Sequence, residues 1–303
     1  MSSKPTFSII VPLYNCEELV ENAVKGFNKQ TNQCFEVIFV NDGSKDNTLS
    51  KLNQCLNTAV FAHKVHTQEN SGPGAARNNG ISLAAGKYLL FVDCDDTLEE
   101  NAIEILSESE KQTDADVILF GYYQDFYTNA NEIDHSVAVI PDKMFLDSNK
   151  SIISAIPMLD EKKVFSFAWN KAVKKNIVSE NNIRFSSRMH SEDYFFYIDV
   201  FPCIKNISVL DMPLYHYVKS PKETLTNRPY LKNYYNLISE RYFAMQRVLK
   251  NADCYFGNAA ASAANVHIKH IFSHFSNNCS KYSGMSGKNI RRDIKLTFAD
   301  PAT

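Results

Sequence analysis

KYLLFVDCDD, residues 87–96, decides the fold. Tyr88 to Val92 form an apolar run too short for a helix and without the polar alternation of a half-exposed strand. Such a run is a strand buried on both faces, the kind found in a parallel sheet. It breaks abruptly into Asp93, Cys94, Asp95 and Asp96. Three carboxylates in four positions repel one another unless something positive sits among them. Alternation along an extended chain places Asp93 and Asp95 on the same side. Such a pair suits a hard divalent cation, Mn2+ or Mg2+, which binds through one or two carboxylates plus substrate phosphates. Taken alone, the cluster is better explained as a solvated acidic turn, or as the acidic start of a helix.

Outward from this strand the chain alternates. FSIIVPLYN (7–15), FEVIFVNDGS (35–44), AHKVHTQEN (62–70) and ADVILFGYYQDFY (115–127) have strand character. EELVENAVKGFNKQ (17–30), DNTLSKLNQCLN (46–57) and EENAIEILSESEK (99–111) have helical spacing, with Asp46 placed as an N-cap. GPGAARNNGISLAAG (72–86) is a loop opening a helix that stops at Gly86. Strand–helix alternation predicts a mostly parallel sheet with helices on both faces and ligands at the strands' carboxyl ends. Residues 125–160 carry no clear period. SSRMHSEDYFFYIDVF (186–201) leads into an aromatic helix, and ISVLDMPLYHYV (207–218) is a late strand. Apolar three- and four-residue steps in 230–249 and 257–275 predict a helical C-terminal region. The domains expected are 1–225 and a helical extension over 226–303.

Hydrophobic residues make up 44% of the 303, enough for a full core, and the net charge of −2 names no partner. Its distribution says more. Residues 1–225 carry 21 Lys plus Arg against 30 Asp plus Glu, while 226–303 carry 11 against 4. An acidic body offers no continuous basic groove, which excludes nucleic acid as a partner. The basic, aromatic tail suits an anionic lipid surface, an anionic acceptor, an oligomer contact, or simply a basic outer face on helices that close the core. Seven scattered cysteines without a CxxC pair are the pattern of reduced thiols. The start of the chain has too short an apolar run for a signal peptide, and nothing approaches the roughly 20 apolar residues of a membrane span. The expected location is therefore cytoplasmic, with peripheral contact at the inner face of a membrane left open.

Two further stretches add polar groups at strand ends. In VNDGSKDNT (40–48), Asp42 follows a buried strand, where its carboxylate can accept a hydrogen bond from an N–H such as a uracil imide. In NSGPGAARNNG (70–80), Arg77 falls in the first turns of a helix, with a charge suited to phosphate or carboxylate. Singly they also fit an Asx turn and an ion-paired surface arginine.

With SIIVPLYN, VNDGSKDNT, NSGPGAARNNG, FVDCDD, AWNKAVKKN and SEDYFF in this order, residues 6–218 resemble the family 2 glycosyltransferases of GT-A fold. The resemblance implies an inverting, metal-dependent transferase. It would move a sugar from a nucleotide-sugar, a UDP-sugar, to a hydroxyl of a glycan or lipid-linked acceptor in bacterial surface-polysaccharide synthesis. By that resemblance Pro12, Tyr14 and Asp42 hold the nucleobase, and Arg77 lies beside base or diphosphate. Asp93 borders ribose and sugar, Asp96 lies close to the sugar, and Asp95 is the direct metal ligand. Asp193 is the catalytic base with Glu192 in support, His216 completes the metal shell, and Lys219 closes over the donor phosphates. Trp169, Asn170 and Lys171 either line the acceptor side or belong to the core. His267, His270 and His274 share one helical face, expected to be solvated.

Two other readings remain at this point. One is a nucleotide-binding module that has lost catalysis. The other is a sugar nucleotidyltransferase, which wants a Gly-rich, Arg-bearing loop where this chain has PLYNCEE. The GxGxxG of a dehydrogenase is absent from the sequence.

Overall fold

The computed structural model describes residues 4–128, 132–187, 191–219, 234–254 and 258–281. The first half runs β1 (Phe7–Leu13), α1 (Val20–Asn28), β2 (Phe35–Asn41), α2 (Thr48–Leu56), β3 (Ala62–Thr67), α3 (Pro73–Leu83), β4 (Tyr88–Phe91), β5 (Thr97–Leu98), α4 (Ala102–Thr113) and β6 (Val117–Tyr127). The second runs β7 (Ile133–Val139), β8 (Met144–Leu146), α5 (Asn149–Glu161), β9 (Lys171–Lys174), α6 (Lys175–Glu180), α7 (Glu192–Val200), β10 (Ile207–Lys219), α8 (Tyr234–Asn251) and α9 (Asn258–Lys281).

The ten strands form one sheet in the order β3-β2-β1-β4-β9-β6-β10-β5, with β7 beside β6 and β8 beside β10. The alternating half is parallel through β3-β2-β1-β4, and β10 lies parallel to β6. The expected mostly parallel sheet is found, with β9 entering antiparallel between β4 and β6, and β5, β7 and β8 also antiparallel. Because β2 and β4 flank β1 on opposite sides, the chain reverses its winding at β1. That is the switch point outside which an α/β sheet opens a ligand crevice.

Helix α3 packs on β1 and β2. A Cβ on Gly80 would lie 2.4 Å from Ile10 Cγ2, so the helix and strand approach each other as only glycine allows. This close seat brings Arg77, one turn earlier on α3, under the crevice. Helix α3 ends at Leu83, three residues short of the expected Gly86.

Pro12 explains how the acidic stretch leaves the sheet. Ile10 still accepts Val92 N–H across β1 and β4 at 3.1 Å. Two residues on, on the same side of the strand, Pro12 has no N–H to give, and the ladder stops. Residues 93–96 therefore form a turn, with Asp96 N–H on Asp93 O at 3.1 Å, not a continuing strand. The strand alternation expected to align Asp93 with Asp95 does not operate there.

Helices α8 and α9 pack on each other and on α5, and α8 also meets α7. Their residues match the predicted helical C-terminal region. His267 is buried and stacks on Tyr242 at 4.4 Å, which corrects the solvated face expected for it, because α9 turns that side inward. The basic stretch beyond residue 281 and the side chain of His274 lie outside the described residues. Among the described residues no helix is long and apolar enough to cross a membrane.

Candidate active site

Arg77 is the positive group among the carboxylates. Its side chain is only 5% exposed, and its fork reaches three acids. One terminal nitrogen donates to Asp93 Oδ1 at 3.0 Å; the other donates to Glu192 Oε1 and Asp193 Oδ1, both at 3.0 Å. The guanidinium carbon lies 5.3 Å from the centre of the Phe185 ring, and Nε is buried without a partner. Where the sequence reading sets Arg77 beside the base or diphosphate, the structure shows three carboxylates already on its fork.

Glu192 and Asp193 open α7, a helix start that favours negative charge. The other oxygen of Asp193 accepts Ala168 N–H at 3.1 Å, which fixes the carboxylate between the 165–170 loop and Arg77. Burial, the strongest influence, pushes its carboxyl up. Arg77 pulls it down, Glu192 and Asp93 push it up again, and it rests at about 7. A carboxylate poised there suits proton transfer at neutral pH.

Asp95 is exposed at the carboxyl end of β4. A crevice floor can be wetted and still be surrounded by protein atoms. That desolvation, joined by the Asp93 charge, raises its carboxyl to about 6. Asp96 is different. It is buried, its Oδ2 accepts the Tyr215 hydroxyl at 2.7 Å, and its Oδ1 accepts Val218 N–H at 2.8 Å. Both oxygens thereby tie the turn to β10. Tyr215 also accepts Asp93 N–H at 3.1 Å, taking over from the ladder that Pro12 ended.

Tyr215 escaped the sequence reading because a tyrosine in an aromatic strand has no local signature. Trp169, stacked on it at 4.4 Å and 11°, is buried core and not an acceptor wall. Asn170 and Lys171 are buried beside it; Lys171 Nζ donates to Phe167 O and Asn170 Oδ1. Tyr215→Phe removes one hydroxyl that serves two partners. The expected cost is about 1–3 kcal/mol for leaving buried polar groups unpaired, measured as a lower Tm.

At the β1 and β2 ends, Tyr14 is 48% exposed and Pro12 half-buried beside it. Asp42 is buried. Its Oδ1 accepts Gln68 Nε2 and Ser71 N–H, both at 2.8 Å, and its Oδ2 accepts Gly72 N–H at 2.9 Å. Asp42 is therefore first a clamp on the 68–72 loop. An ionised carboxylate has about four acceptor directions, so one on Oδ2 is left for a ligand. Gly43, at φ +68°, turns the chain where a Cβ would lie 2.9 Å from Asn70 N.

His216 is engaged on both sides of its ring. Its Nδ1 lies 2.7 Å from Asp125 Oδ2 and its Nε2 3.1 Å from Glu99 Oε1, so carboxylates hold both ring nitrogens. The sequence reading expects it to complete the metal shell; here its ring is held by Asp125 and Glu99. Lys219, the last residue of β10, has its ammonium 4.2 Å from the centre of the Tyr217 ring. Among the described residues no three His, Cys, Asp or Glu side chains are grouped as a ready metal cage. Asp93 and Asp95 still fit a hard cation whose other ligands come from a substrate diphosphate and water, since such sites commonly use one or two carboxylates.

The sequence profile of Glycosyl transferase family 2 matches residues 8–179. The putative glycosyltransferase EpsH of Bacillus subtilis (strain 168) is 30% identical over 216 residues, covering 70% of this chain and 60% of that protein. The poly(ribitol-phosphate) beta-N-acetylglucosaminyltransferase TarS of Staphylococcus aureus (strain MW2) is 26% identical over 214 residues, 70% of this chain and 35% of that one. The chain thus spans about 60% of the first relative's length and about a third of the second's. The crystal structure of S. aureus TarS 1-349 in complex with UDP-GlcNAc superposes with a TM-score of 0.66 at 23% identity, over 92% of this chain and 76% of that one. The mannosyltransferase PcManGT from Pyrobaculum calidifontis, in complex with GDP-Man and Mn2+, gives 0.58 at 14% identity, over 99% and 83%. The folds are shared, and the matched profile covers more than half of the sequence: this chain belongs to glycosyl transferase family 2, with the GT-A fold.

Proposed function

We propose that the protein is an inverting, metal-dependent glycosyltransferase. It moves a sugar from a UDP-sugar to a hydroxyl of a glycan or lipid-linked acceptor, in the synthesis of a bacterial surface polysaccharide at the cytoplasmic side of the membrane. The observation that carries this reading is the single guanidinium of Arg77, which joins Asp93 on the donor turn to Asp193 on the base helix. A shared guanidinium of this kind fixes the donor turn and the proton acceptor relative to each other. Residues 1–225 form the catalytic unit in this proposal, and 226–303 an extension that buttresses it. Arg241 of α8 supports that division: it donates to Ser166 Oγ at 2.7 Å, in the loop that holds Asp193.

In this reading the exposed ring of Tyr14 stacks on the uracil, with Pro12 at its edge and the remaining Asp42 lone pair on the imide N–H. Asp93 and Asp95 hold Mn2+ or Mg2+, and Lys219 reaches the diphosphate from the end of β10. A bound cation supplies Lewis-acid stabilisation of the departing diphosphate. The acceptor oxygen bonds to the anomeric carbon as the bond to the UDP oxygen breaks, and its proton passes to Asp193. One displacement inverts the configuration. A catalytically silent nucleotide module is the weaker reading, because it gives no reason to hold Asp193 near neutrality.

The test is titration of UDP by calorimetry with and without Mn2+, followed by donor hydrolysis. Binding should require Mn2+ and weaken at least about tenfold in Asp95→Ala, the scale of one lost charged contact. UDP binding indifferent to both metal and Asp95 sinks the proposal. A base must be deprotonated to act, so kcat/KM should rise through pH about 7, where the Asp193 carboxyl titrates. Glu192 pushes that carboxyl upward. Glu192→Gln should therefore move the acidic limb of the pH profile to lower pH, and a limb that stays in place removes Glu192 from its supporting role.

A further inference from the structure

A proton acceptor at Asp193 needs a seat for the acceptor substrate as well as for the donor. Phe167 precedes Ala168, whose N–H donates to Asp193 Oδ2 at 3.1 Å, so the peptide joining these two residues is itself bonded to the base. The loop is held still there: Phe167 O accepts Lys171 Nζ at 2.7 Å, and Ala168 O accepts the Tyr197 hydroxyl at 3.2 Å. The Phe167 ring closes a column of three. It stacks on Trp169 at 4.5 Å and 17°, and Trp169 stacks on Tyr215 at 4.4 Å and 11°. Tyr215 and Trp169 are buried, whereas Phe167 is partly exposed.

Strand register puts polar and aromatic groups beside this ring. Tyr215 and Tyr217 lie two residues apart on β10, opposite Tyr122 and Gln124 of the parallel strand β6, so all four share one face of the sheet. Phe167 meets that face: its ring centre is 6.0 Å from that of Tyr217 and 5.7 Å from that of Tyr122. The Lys219 ammonium covers one face of the Tyr217 ring, which makes Tyr217 a side wall and Phe167 the platform. Gln124 is half-buried and gives one N–H to the Tyr122 hydroxyl at 3.5 Å. A primary amide has two N–H donors and an acceptor oxygen, so it keeps polar groups for a ligand. Val218, next to Tyr217, donates its N–H to Asp96 of the acidic turn. The Phe167–Tyr217 pair is therefore tied at one end to the base and at the other to the donor turn, at the carboxyl ends of two parallel strands.

We infer, on the transferase reading, that this ledge is the acceptor subsite and that it takes a pyranose ring, laid with its C–H face on Phe167 and its hydroxyls toward Gln124 and Asp193. That narrows the acceptor to a sugar, as against a bare lipid alcohol or an open-chain polyol. One face of a pyranose is largely C–H, with hydroxyls around the rim. The negative face of an aromatic ring attracts such polarised hydrogens. Orientation then falls to a few placed polar groups, here an amide and a carboxylate. An alkyl chain has no use for the amide, and a linear polyol has no flat C–H face to lay down.

Trp169 is the single tryptophan of the chain and stacks directly behind Phe167, so its fluorescence reports the platform without any sugar being transferred. The full chain with UDP and Mn2+ is titrated with methyl β-D-glucopyranoside, methyl β-D-galactopyranoside and methyl N-acetyl-β-D-glucosaminide, and in parallel with ribitol and 1-octanol. A saturable change with at least one glycoside, and none with ribitol or octanol, is the expected result. Phe167→Leu should raise the half-saturating glycoside concentration about three- to tenfold, the scale of one lost ring contact, and Phe167→Tyr should restore it. Gln124→Ala should weaken the glycoside by a similar factor, about that of one hydrogen bond. UDP affinity in the same samples should not change. UDP that binds while no glycoside perturbs Trp169, or ribitol or octanol that matches the glycosides, overturns the acceptor assignment alone. UDP that fails to bind overturns the transferase reading and this assignment with it. A glycoside held as tightly by Phe167→Leu and Gln124→Ala as by the unaltered chain removes the ledge as its seat.

Discussion

Asp193→Asn should leave Mn2+-dependent UDP binding intact while transfer falls by about 10²–10⁴, the usual contribution of a positioned general base. The substitution keeps size and shape and removes the site of protonation. It also has a structural cost that must be separated from the chemistry. Asp193 accepts Arg77 on one oxygen and Ala168 N–H on the other. An asparagine has one acceptor oxygen, so one of those donors loses its partner, at a cost of about 1–3 kcal/mol. Tm and UDP affinity report that cost; single-turnover transfer at saturating donor and acceptor reports the base. Retained binding with normal transfer rules out Asp193 as the proton acceptor.

Much of the frame was legible because β1, β2 and β4 are almost wholly apolar and stop at residues with unmistakable turn chemistry. The legibility ended where physics ceased to be local. Every residue of β7 up to Ala138 is exposed, so that strand has no buried face to leave a period in the sequence, and β8 has only three residues. The antiparallel entry of β9 depends on pairing with β4 and β6, strands far away in sequence. The site shows the same division. Asp93, Asp95, Glu192 and Asp193 could be singled out because acids at strand and helix ends are visible in one sequence. The partners of Asp96, Tyr215 and Val218, could not be read beside it because they come from a strand more than a hundred residues later. Arg77 was assigned to a ligand because its charge is local information, whereas its three acids meet it only in the fold.

That meeting gives Arg77→Met the largest expected effect on stability. Methionine fills similar volume on α3 but leaves Asp93, Glu192 and Asp193 facing one another without a cation. Removing one partner of a buried ion pair costs about 3–5 kcal/mol, because the remaining charges stay desolvated. For a chain of this size that is a drop in Tm on the order of 10 °C at pH 8. The sign of the pH dependence distinguishes this cause from lost packing. Arg77 pulls the Asp193 carboxyl down toward about 7, so its removal raises that group further above its unfolded value. A carboxyl raised in the folded state contributes stability that is fully present below its unfolded value and lost as pH rises through the folded one. The Arg77→Met deficit should therefore shrink as pH falls from 8 to 5.5, since proton uptake by the acid cluster relieves the repulsion. Arg77→Lys should fall between the two, because an ammonium keeps the charge but cannot span three acids with a planar fork. A deficit equally large at both pH values would mean that Arg77 is held for its contact with Phe185 and not for the acids, and the donor turn and base helix would then lose the link on which the catalytic reading rests.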